Sequence, residues 1–255
     1  MGELKKFTLE KDFGGIESAL SKLSVSDNIQ SAELQETLLL ELLTLNTPQI
    51  NLLVSKTIAE LTKSPEQRTK FSNNDVLEKL VELLSVAVSS KNVDLTIQLC
   101  RALGNIFYSN DDARNIIFHL DGGKVLVELF NIANSEIQDP EQLEMFAKVR
   151  SGVMSNYLLG NEELSQKAIE LGIIDKMRSR MEESTAGLEH LLPLFSILTE
   201  QVSDLIFQPQ ILNLITKVLR TCTNSDVVEA CLELLVCQSE SDDVKLLLAR
   251  DGLCE

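Results

Sequence analysis

The chain has 255 residues, of which 44% are hydrophobic and 24% are charged, a balance typical of folded soluble proteins that excludes wholesale disorder. Its 23 basic and 39 acidic residues give a formal net charge of −16, which repels nucleic acid and anionic membrane surfaces and favours cationic partners. Trp is absent and aromatic residues make up only 4%, so Leu, Ile and Val must fill the core.

The N-terminal residues and the cysteines indicate a cytoplasmic protein. No apolar stretch of the kind that a signal peptide requires follows Met1, and no run approaches the length needed to cross a bilayer. The five cysteines are odd in number and contain no CxxC pair, so we expect neither a disulfide framework nor a zinc site. Residues 1–13 are expected to be loosely ordered, and residues 14–53 to form a partial capping unit.

The first clear three-helix pattern lies within residues 55–84. Helical segments over 55–61, 66–71 and 74–84 are separated by short polar turns. Asn73 precedes the last segment and is expected to cap it, because an Asn side chain accepts hydrogen bonds from the free N–H groups of a first helical turn. Alternating strand patterns are missing, so the pattern predicts an all-α fold.

A second copy of the pattern runs over residues 93–130. A long helix begins at 93 and breaks at 108–111, and a shorter helix then leads to Gly122 and Gly123. The two glycines are expected to allow a sharp change of direction before the third helix. This order of three helices is the plan of an armadillo repeat.

Corresponding positions recur at the spacing of armadillo or HEAT units. Glu60, Asn105 and Asn156 match one another and are 45 and 51 residues apart, near the roughly 40–47 residues expected. The excess falls at residues 134–141, where Pro140 is expected to interrupt a helix, so we predict a lengthened loop between repeats.

Two weaker copies complete the pattern. Residues 187–219 contain Ser196 at the matching place, and residues 225–255 contain Cys237. The last five residues match a turn and the start of a helix, so we expect the chain to be truncated within a repeat. We therefore predict a right-handed superhelical armadillo-repeat solenoid of about five repeats over residues 14–255.

Three segments carry a resemblance to a known family. The run RALGNIFYS at 101–109 resembles the most characteristic helix of the small-GTPase GDP-dissociation stimulator family, SmgGDS, and MSNY at 154–157 and LGII at 171–174 are similar to its next repeat. The resemblance is good over about residues 50–181 and suggests a divergent, C-terminally truncated member. It implies binding of Rho- and Rap-type GTPases with a basic, prenylated C-terminal tail, as exchange factor and chaperone, by a monomer without cofactor. The family also allows association with the endoplasmic reticulum or mitochondria.

The third helix of each armadillo repeat lines the groove that binds the partner. The matching positions, together with residues one helical turn earlier, give the candidate groove residues Glu60, Arg101, Asn105, Asn156, Ser196, Glu233 and Cys237. For Asn105 and Asn156 an alternative is that their side chains tie adjacent helices together. Tyr108 and Tyr157 are interpreted as packing residues.

Other functions are weighed against this one. A general armadillo scaffold remains an alternative, whereas importin-like binding of basic peptides is disfavoured because Arg101 and Gly152 stand where that family places tryptophans. The segment from Gly122 to Val125 is no phosphate-binding loop, and the dipeptide at 189–190 lacks a second His at zinc spacing. We expect no catalytic residue, metal site or enzymatic activity, and neither nucleic-acid binding nor direct membrane insertion.

Overall fold

A computed structural model describes residues 2–24, 36–202 and 209–250. Within these ranges every regular element is a helix, which confirms the all-α prediction. Tertiary contacts group the chain into two compact units, Met1–Leu126 and Val127–Glu255. The boundaries 1–13 and 14–255 stay predictions, and residues 251–255, where the sequence predicts a repeat cut short, lie outside the described residues.

The first unit contains nine helices in the residues that the structure describes, the last of which extends across the division at 126. They are α1 (Gly2–Glu10), α2 (Phe13–Ser24), α3 (Glu36–Thr44), α4 (Pro48–Leu61), α5 (Pro65–Phe71), α6 (Asn74–Ser89), α7 (Val93–Phe107), α8 (Asp111–His119) and α9 (Gly122–Glu128).

The first helix occupies the segment that the sequence predicts to be loose. Helix α1 packs against α2, and Leu4 of α1 is buried. Thr8, also buried, donates its hydroxyl hydrogen to the carbonyl of Leu4 at 2.8 Å. Burial of apolar side chains stabilises a short helix that would be marginal in water.

Asparagine side chains begin the helices of the two clearest repeats. The side-chain oxygen of Asn73 accepts a hydrogen bond from the N–H of Val76, which confirms its predicted capping role. Asn92 and Asn110 cap α7 and α8 in the same way. Each of these caps satisfies a backbone donor at a helix start and contributes about 1 kcal/mol.

The turn between α8 and α9 differs from its prediction in one detail. The residue with left-handed backbone is Asp121, at φ 55°, and not a glycine. Gly122 begins α9 and is needed for space, because an added Cβ would lie 2.8 Å from Ile117 Cγ2. Aspartate adopts this conformation more readily than most residues. The change of direction thus occurs at Asp121, whereas the sequence pattern predicts it at the glycines.

The second unit contains seven helices, in the described residues, after two short 3-10 turns at Leu129–Asn131 and Asn134–Glu136. They are α10 (Pro140–Leu158), α11 (Glu162–Glu170), α12 (Ile173–Glu183), α13 (Leu188–Gln201), α14 (Pro209–Thr221), α15 (Ser225–Gln238) and α16 (Asp242–Arg250).

The predicted long loop lies before α10, and Pro140 begins this helix instead of interrupting it. The N–H groups of Asn134 and Ser135 donate to the carboxylate of Glu183 at 3.1 and 2.8 Å. Burial raises the pKa of Glu183, but these hydrogen bonds and the charge of Arg180 lower it by more, so its pKa lies below the ordinary value. The carboxylate thereby fastens the loop to α12.

A buried arginine holds the other side of this loop. Arg150 is 2% exposed, and its guanidinium carbon lies 5.1 Å from the ring centres of both Phe130 and Phe146. It also donates a hydrogen bond of 3.3 Å to the carbonyl of Ile132. Two aromatic faces stabilise a cation that has left water, so Arg150 acts as a packing residue for the loop.

The long helices that carry the matching positions pack side by side within each unit. Each one opens a copy of the pattern as counted in the sequence and corresponds to the third helix of an armadillo repeat, so we call them third helices. In the first unit α4 contacts both α2 and α7, and in the second unit α13 contacts both α10 and α15. Stacking of equivalent helices is what stabilises a repeat too small to bury its own apolar face. Among the described helices, none combines the length and apolar character that crossing a bilayer requires.

Candidate partner-binding surface

In the first unit, three predicted groove residues lie together near the C-terminal ends of α4 and α7. The guanidinium of Arg101 forms an ion pair with the carboxylate of Glu60 and donates a second hydrogen bond to Gln98 Oε1 at 2.7 Å. Lys63 Nζ lies 2.5 Å from the other carboxylate oxygen of Glu60. The predicted residues are therefore brought together, and two cations accompany one carboxylate.

The environment of Glu60 favours its ionised form. Burial raises the pKa of this carboxyl, but hydrogen bonds from Lys63 and Arg101, together with their positive charges, lower it by more. The net effect is a pKa below the ordinary value. Because its charge is already matched by two cations, Glu60 offers little attraction to a basic partner.

Asn105 joins two successive repeats. Its amide nitrogen donates to the carbonyl of Ala59 at 2.8 Å and lies 3.4 Å from the hydroxyl of Thr62. The Ala59 carbonyl belongs to the last turn of α4, where carbonyls lack a partner within the helix. The geometry supports the alternative in which Asn105 ties neighbouring helices together.

In the second unit, the groove positions on α10 and α13 are half-buried. Asn156 has the same place in α10 as Asn105 has in α7. Buried residues follow the same spacing in α13 as in α7. Leu194, Phe195 and Leu198 of α13 correspond to Ala102, Leu103 and Ile106 of α7. This pattern aligns Ile197, one residue after Ser196, with the two asparagines.

Helix α15 has a more exposed surface than the other third helices. Glu233 and Cys237 are exposed, as are the neighbouring Leu232 at 51% and Val236 at 69%. The helix contains no Lys or Arg. The exposed carboxylates on this helix or just after it, which we name the α15 acidic face, are those of Asp226, Glu229, Glu233 and Glu240.

Two tyrosines predicted to pack in the core have different environments. Tyr157 is buried, as predicted, but Tyr108 is 55% exposed. The guanidinium of Arg68 lies 5.0 Å from the centre of the Tyr108 ring. An exposed tyrosine just after the end of α7 can contact a partner. Its place after the last helical residue, and not on the apolar face of the helix, is the sequence feature that could have indicated this exposure.

A cavity of about 830 Å³ lies at the other end of the same helices in the first unit. Its lining includes Pro48 and Asn51 from the start of α4, Val86 from α6 and Leu95 from the start of α7. The predicted groove residues do not line this cavity, so it is separate from the candidate surface.

Comparison with known proteins finds relatives among the GTPase-GDP dissociation stimulators. The chain is 46% identical over 209 residues to the GTPase-GDP dissociation stimulator vimar of Drosophila melanogaster. This alignment covers 79% of this chain and 33% of that protein. It is 26% identical over 256 residues to the Rap1 GTPase-GDP dissociation stimulator 1-B of Xenopus laevis, covering 97% and 41%. The chain thus spans less than half the length of these relatives. No family model matches it.

Solved structures confirm the fold. An engineered protein has a TM-score of 0.72 at 20% identity, covering 94% of this chain and all of that one. A designed armadillo-repeat protein in complex with the peptide (KR)4 has a TM-score of 0.67 at 20% identity, covering 92% and 99%. The predicted armadillo-repeat class is therefore correct.

Proposed function

Because this chain is a homologue of the GTPase-GDP dissociation stimulators, as its resemblance predicts, we propose that it binds small GTPases and promotes the release of their GDP. The observation that carries this proposal is the 46% identity over 209 residues to a protein of that name. The proposed role is that of exchange factor and chaperone, acting in the cytosol as a monomer.

The mechanism requires binding and no bond-making. A protein that binds the nucleotide-free or distorted form of a GTPase more tightly than the GDP form must lower the affinity for GDP by the same factor. Such a protein needs a complementary surface in place of a nucleophile or general base. Stacked third helices supply side chains at regular spacing for that purpose.

The partners that we propose are Rho- or Rap-type GTPases with a basic, prenylated C-terminal tail. The net charge of −16 supports attraction of such a tail over about 8–10 Å, the screening length near physiological salt. Electrostatic attraction of this kind raises the rate of encounter more than it raises final affinity. It also makes association depend on salt.

Within the predicted groove we assign different tasks to the two units. Arg101, with Glu60 and Asn105, braces the first unit, since these side chains bond one another or the preceding helix. Attraction of the basic tail is assigned to the α15 acidic face, including Glu233 beside Cys237. Asn156 and Ser196 are proposed as further contacts.

The test is a titration of the protein with a prenylated and an unprenylated Rho-family GTPase, with release of labelled GDP followed at low and at physiological salt. We expect accelerated GDP release that weakens with salt.

A charge-reversal variant tests the α15 acidic face. In the double variant Glu229→Lys and Glu233→Lys, binding should weaken at least about tenfold and lose most of its salt dependence. The matched control reverses the exposed pair Glu162 and Glu163 on α11 and should leave binding nearly unchanged.

Two results would support the alternatives. Binding of several unrelated proteins without release of GDP would favour a general scaffold. Tight binding of a lysine-rich nuclear localisation peptide, again without GDP release, would favour the importin-like function. If neither variant changes GDP release, the α15 acidic face is not the tail site, although the GTPase assignment would stand.

A further inference from the structure

One imidazole and two carboxylates meet where α10 and α13 pack in the second unit. His190 Nε2 lies 2.8 Å from Glu144 Oε1 and 3.9 Å from Glu189 Oε1. One potential ligand atom from each of the three residues lies within 4.8 Å of the other two. The sequence had shown only the adjacent pair at 189–190, which lacked a further ligand at zinc spacing.

The third member is supplied by the close approach of the two helices. Gly187 precedes α13 with φ +76°, and a Cβ added there would lie 2.5 Å from Ala147 Cβ of α10. His190 follows Gly187 by three residues, and Glu144 precedes Ala147 by three. In the same region where α10 and α13 pack this closely, the imidazole lies beside a carboxylate 46 residues earlier in the chain.

We propose that Glu144, Glu189 and His190 form a site for a divalent transition-metal ion, with Zn²⁺ as the probe. One imidazole nitrogen and two carboxylate oxygens are ligands that Zn²⁺ accepts at about 2.0–2.2 Å, with water completing the coordination. Three donors around one such ion are separated by about 3 to 3.5 Å at these bond lengths. The potential ligand atoms lie 2.8 and 3.9 Å apart in the two pairs that include His190, and all three lie within 4.8 Å of one another, close to these separations.

Charge and exposure are compatible with the site. Two carboxylates supply two negative charges, and the side chains of Glu144, Glu189 and His190 are 55%, 22% and 24% exposed. The group is thus reachable from water and partly shielded by the two helices. A bound ion would bridge consecutive third helices and stabilise the second unit, because an ion that binds only the folded state shifts the folding equilibrium toward it.

The test uses the fact that the chain contains two histidines, His119 and His190. Imidazole resonances are followed by NMR while Zn²⁺ is added to the full chain, and affinity is measured by calorimetry. We expect one equivalent of Zn²⁺ to shift the His190 signals and leave those of His119 unchanged. Because the loss of a residue that merely orients a ligand already costs about 10–100-fold in metal affinity, loss of a ligand in Glu144→Gln should weaken binding at least about tenfold, whereas His119→Ala should not.

Three results would overturn the proposal. Equal responses of both imidazoles would indicate non-specific binding. Unchanged affinity in Glu144→Gln would show that the carboxylate does not bind the ion. Loss of Zn²⁺ binding in Cys237→Ser, with His190 unaffected in the parent chain, would assign the binding to the exposed thiol. Because Glu144 is largely exposed, Glu144→Gln should fold normally, which circular dichroism checks.

Discussion

Replacement of Asn105 by alanine distinguishes a structural role for this side chain from a direct contact with a partner. The substitution removes the 2.8 Å hydrogen bond from the Asn105 amide to the carbonyl of Ala59, a residue with no exposed surface. Lys63 N–H bonds the next carbonyl, that of Glu60, and Thr62 Oγ1 remains 3.4 Å from the Ala59 oxygen. The carbonyl thus keeps only a long contact.

The expected loss follows from these contacts. Leaving a buried acceptor without a good partner costs about 1–3 kcal/mol, so Asn105→Ala should lower the free energy of unfolding by that amount. The measurement is urea denaturation followed by circular dichroism, with the dependence on urea concentration compared between variants. The matched control is Asn115→Ala, on the exposed surface of α8, which should change stability by less than about 0.5 kcal/mol.

One result would refute this reasoning. If Asn105→Ala were as stable as Asn115→Ala and at the same time released GDP from a GTPase more slowly, Asn105 would serve the partner and not the neighbouring helix. A loss of stability with unchanged GDP release at a temperature where the variant is folded would support the structural role.

Three further predictions concern stability, pH and thiol reactivity. Gly187→Ala should destabilise the second unit by at least about 1–3 kcal/mol, measured by thermal denaturation, because φ is positive and the new Cβ meets Ala147. Because the folded pKa of Glu60 is lowered, its contribution is present above its unfolded pKa of about 4.3 and is lost as pH falls through the folded value. Lowering the pH should therefore reduce the free energy of unfolding of Glu60→Gln less than that of the wild type, as urea titrations at several pH values would show. Burial, and then the neighbouring thiol of Cys222, raise the pKa of Cys231 to about 11, so iodoacetamide at pH 8 should label exposed Cys237 before Cys231, as peptide mass spectrometry would detect.

Much of the fold could be predicted because the repeats carry local signals. The predicted helix from Val93 and its break after Phe107 agree with α7, and the capping role of Asn73 is visible from its place before an apolar segment. Apolar residues at three- and four-residue spacing define one face of a helix regardless of what packs on it. Such signals act over one or two turns, which a single sequence displays directly.

The structure differs from the sequence-based expectations where a local signal is weak or has more than one meaning. Burial of Leu4 keeps residues 2–10 helical, although the local sequence has few helix signals. Pro140 begins a helix because its missing N–H is not needed at that position. In α13 the pattern of burial aligns Ile197 with Asn105, whereas the sequence pattern assigned that place to Ser196, since α13 has no asparagine to mark the register. The role of Ser196 in the groove stays a prediction.

The candidate surface was less predictable than the fold. Its electrostatics depend on ion pairs between side chains of different repeats, which the repeat pattern does not show. Glu60 and Arg101 are both predicted groove residues, a role that stays a prediction. The sequence pattern does not show that Arg101 reaches the Glu60 carboxylate from the next third helix. Likewise, Glu144 and His190 are 46 residues apart, and a single sequence does not show that α10 and α13 bring them into contact.

The distribution of charge explains why net charge alone is a poor guide to the binding surface. In the first unit, Lys63 and Arg101 both contact the single carboxylate of Glu60, so the local balance there is positive despite the overall −16. On α15 the carboxylates have no basic residue on their own helix. Because screening limits attraction to about 8–10 Å, a basic tail responds to the local balance and not to the total. The α15 acidic face is therefore the stronger candidate for capturing such a tail, and the first unit for fixing the geometry of the repeats.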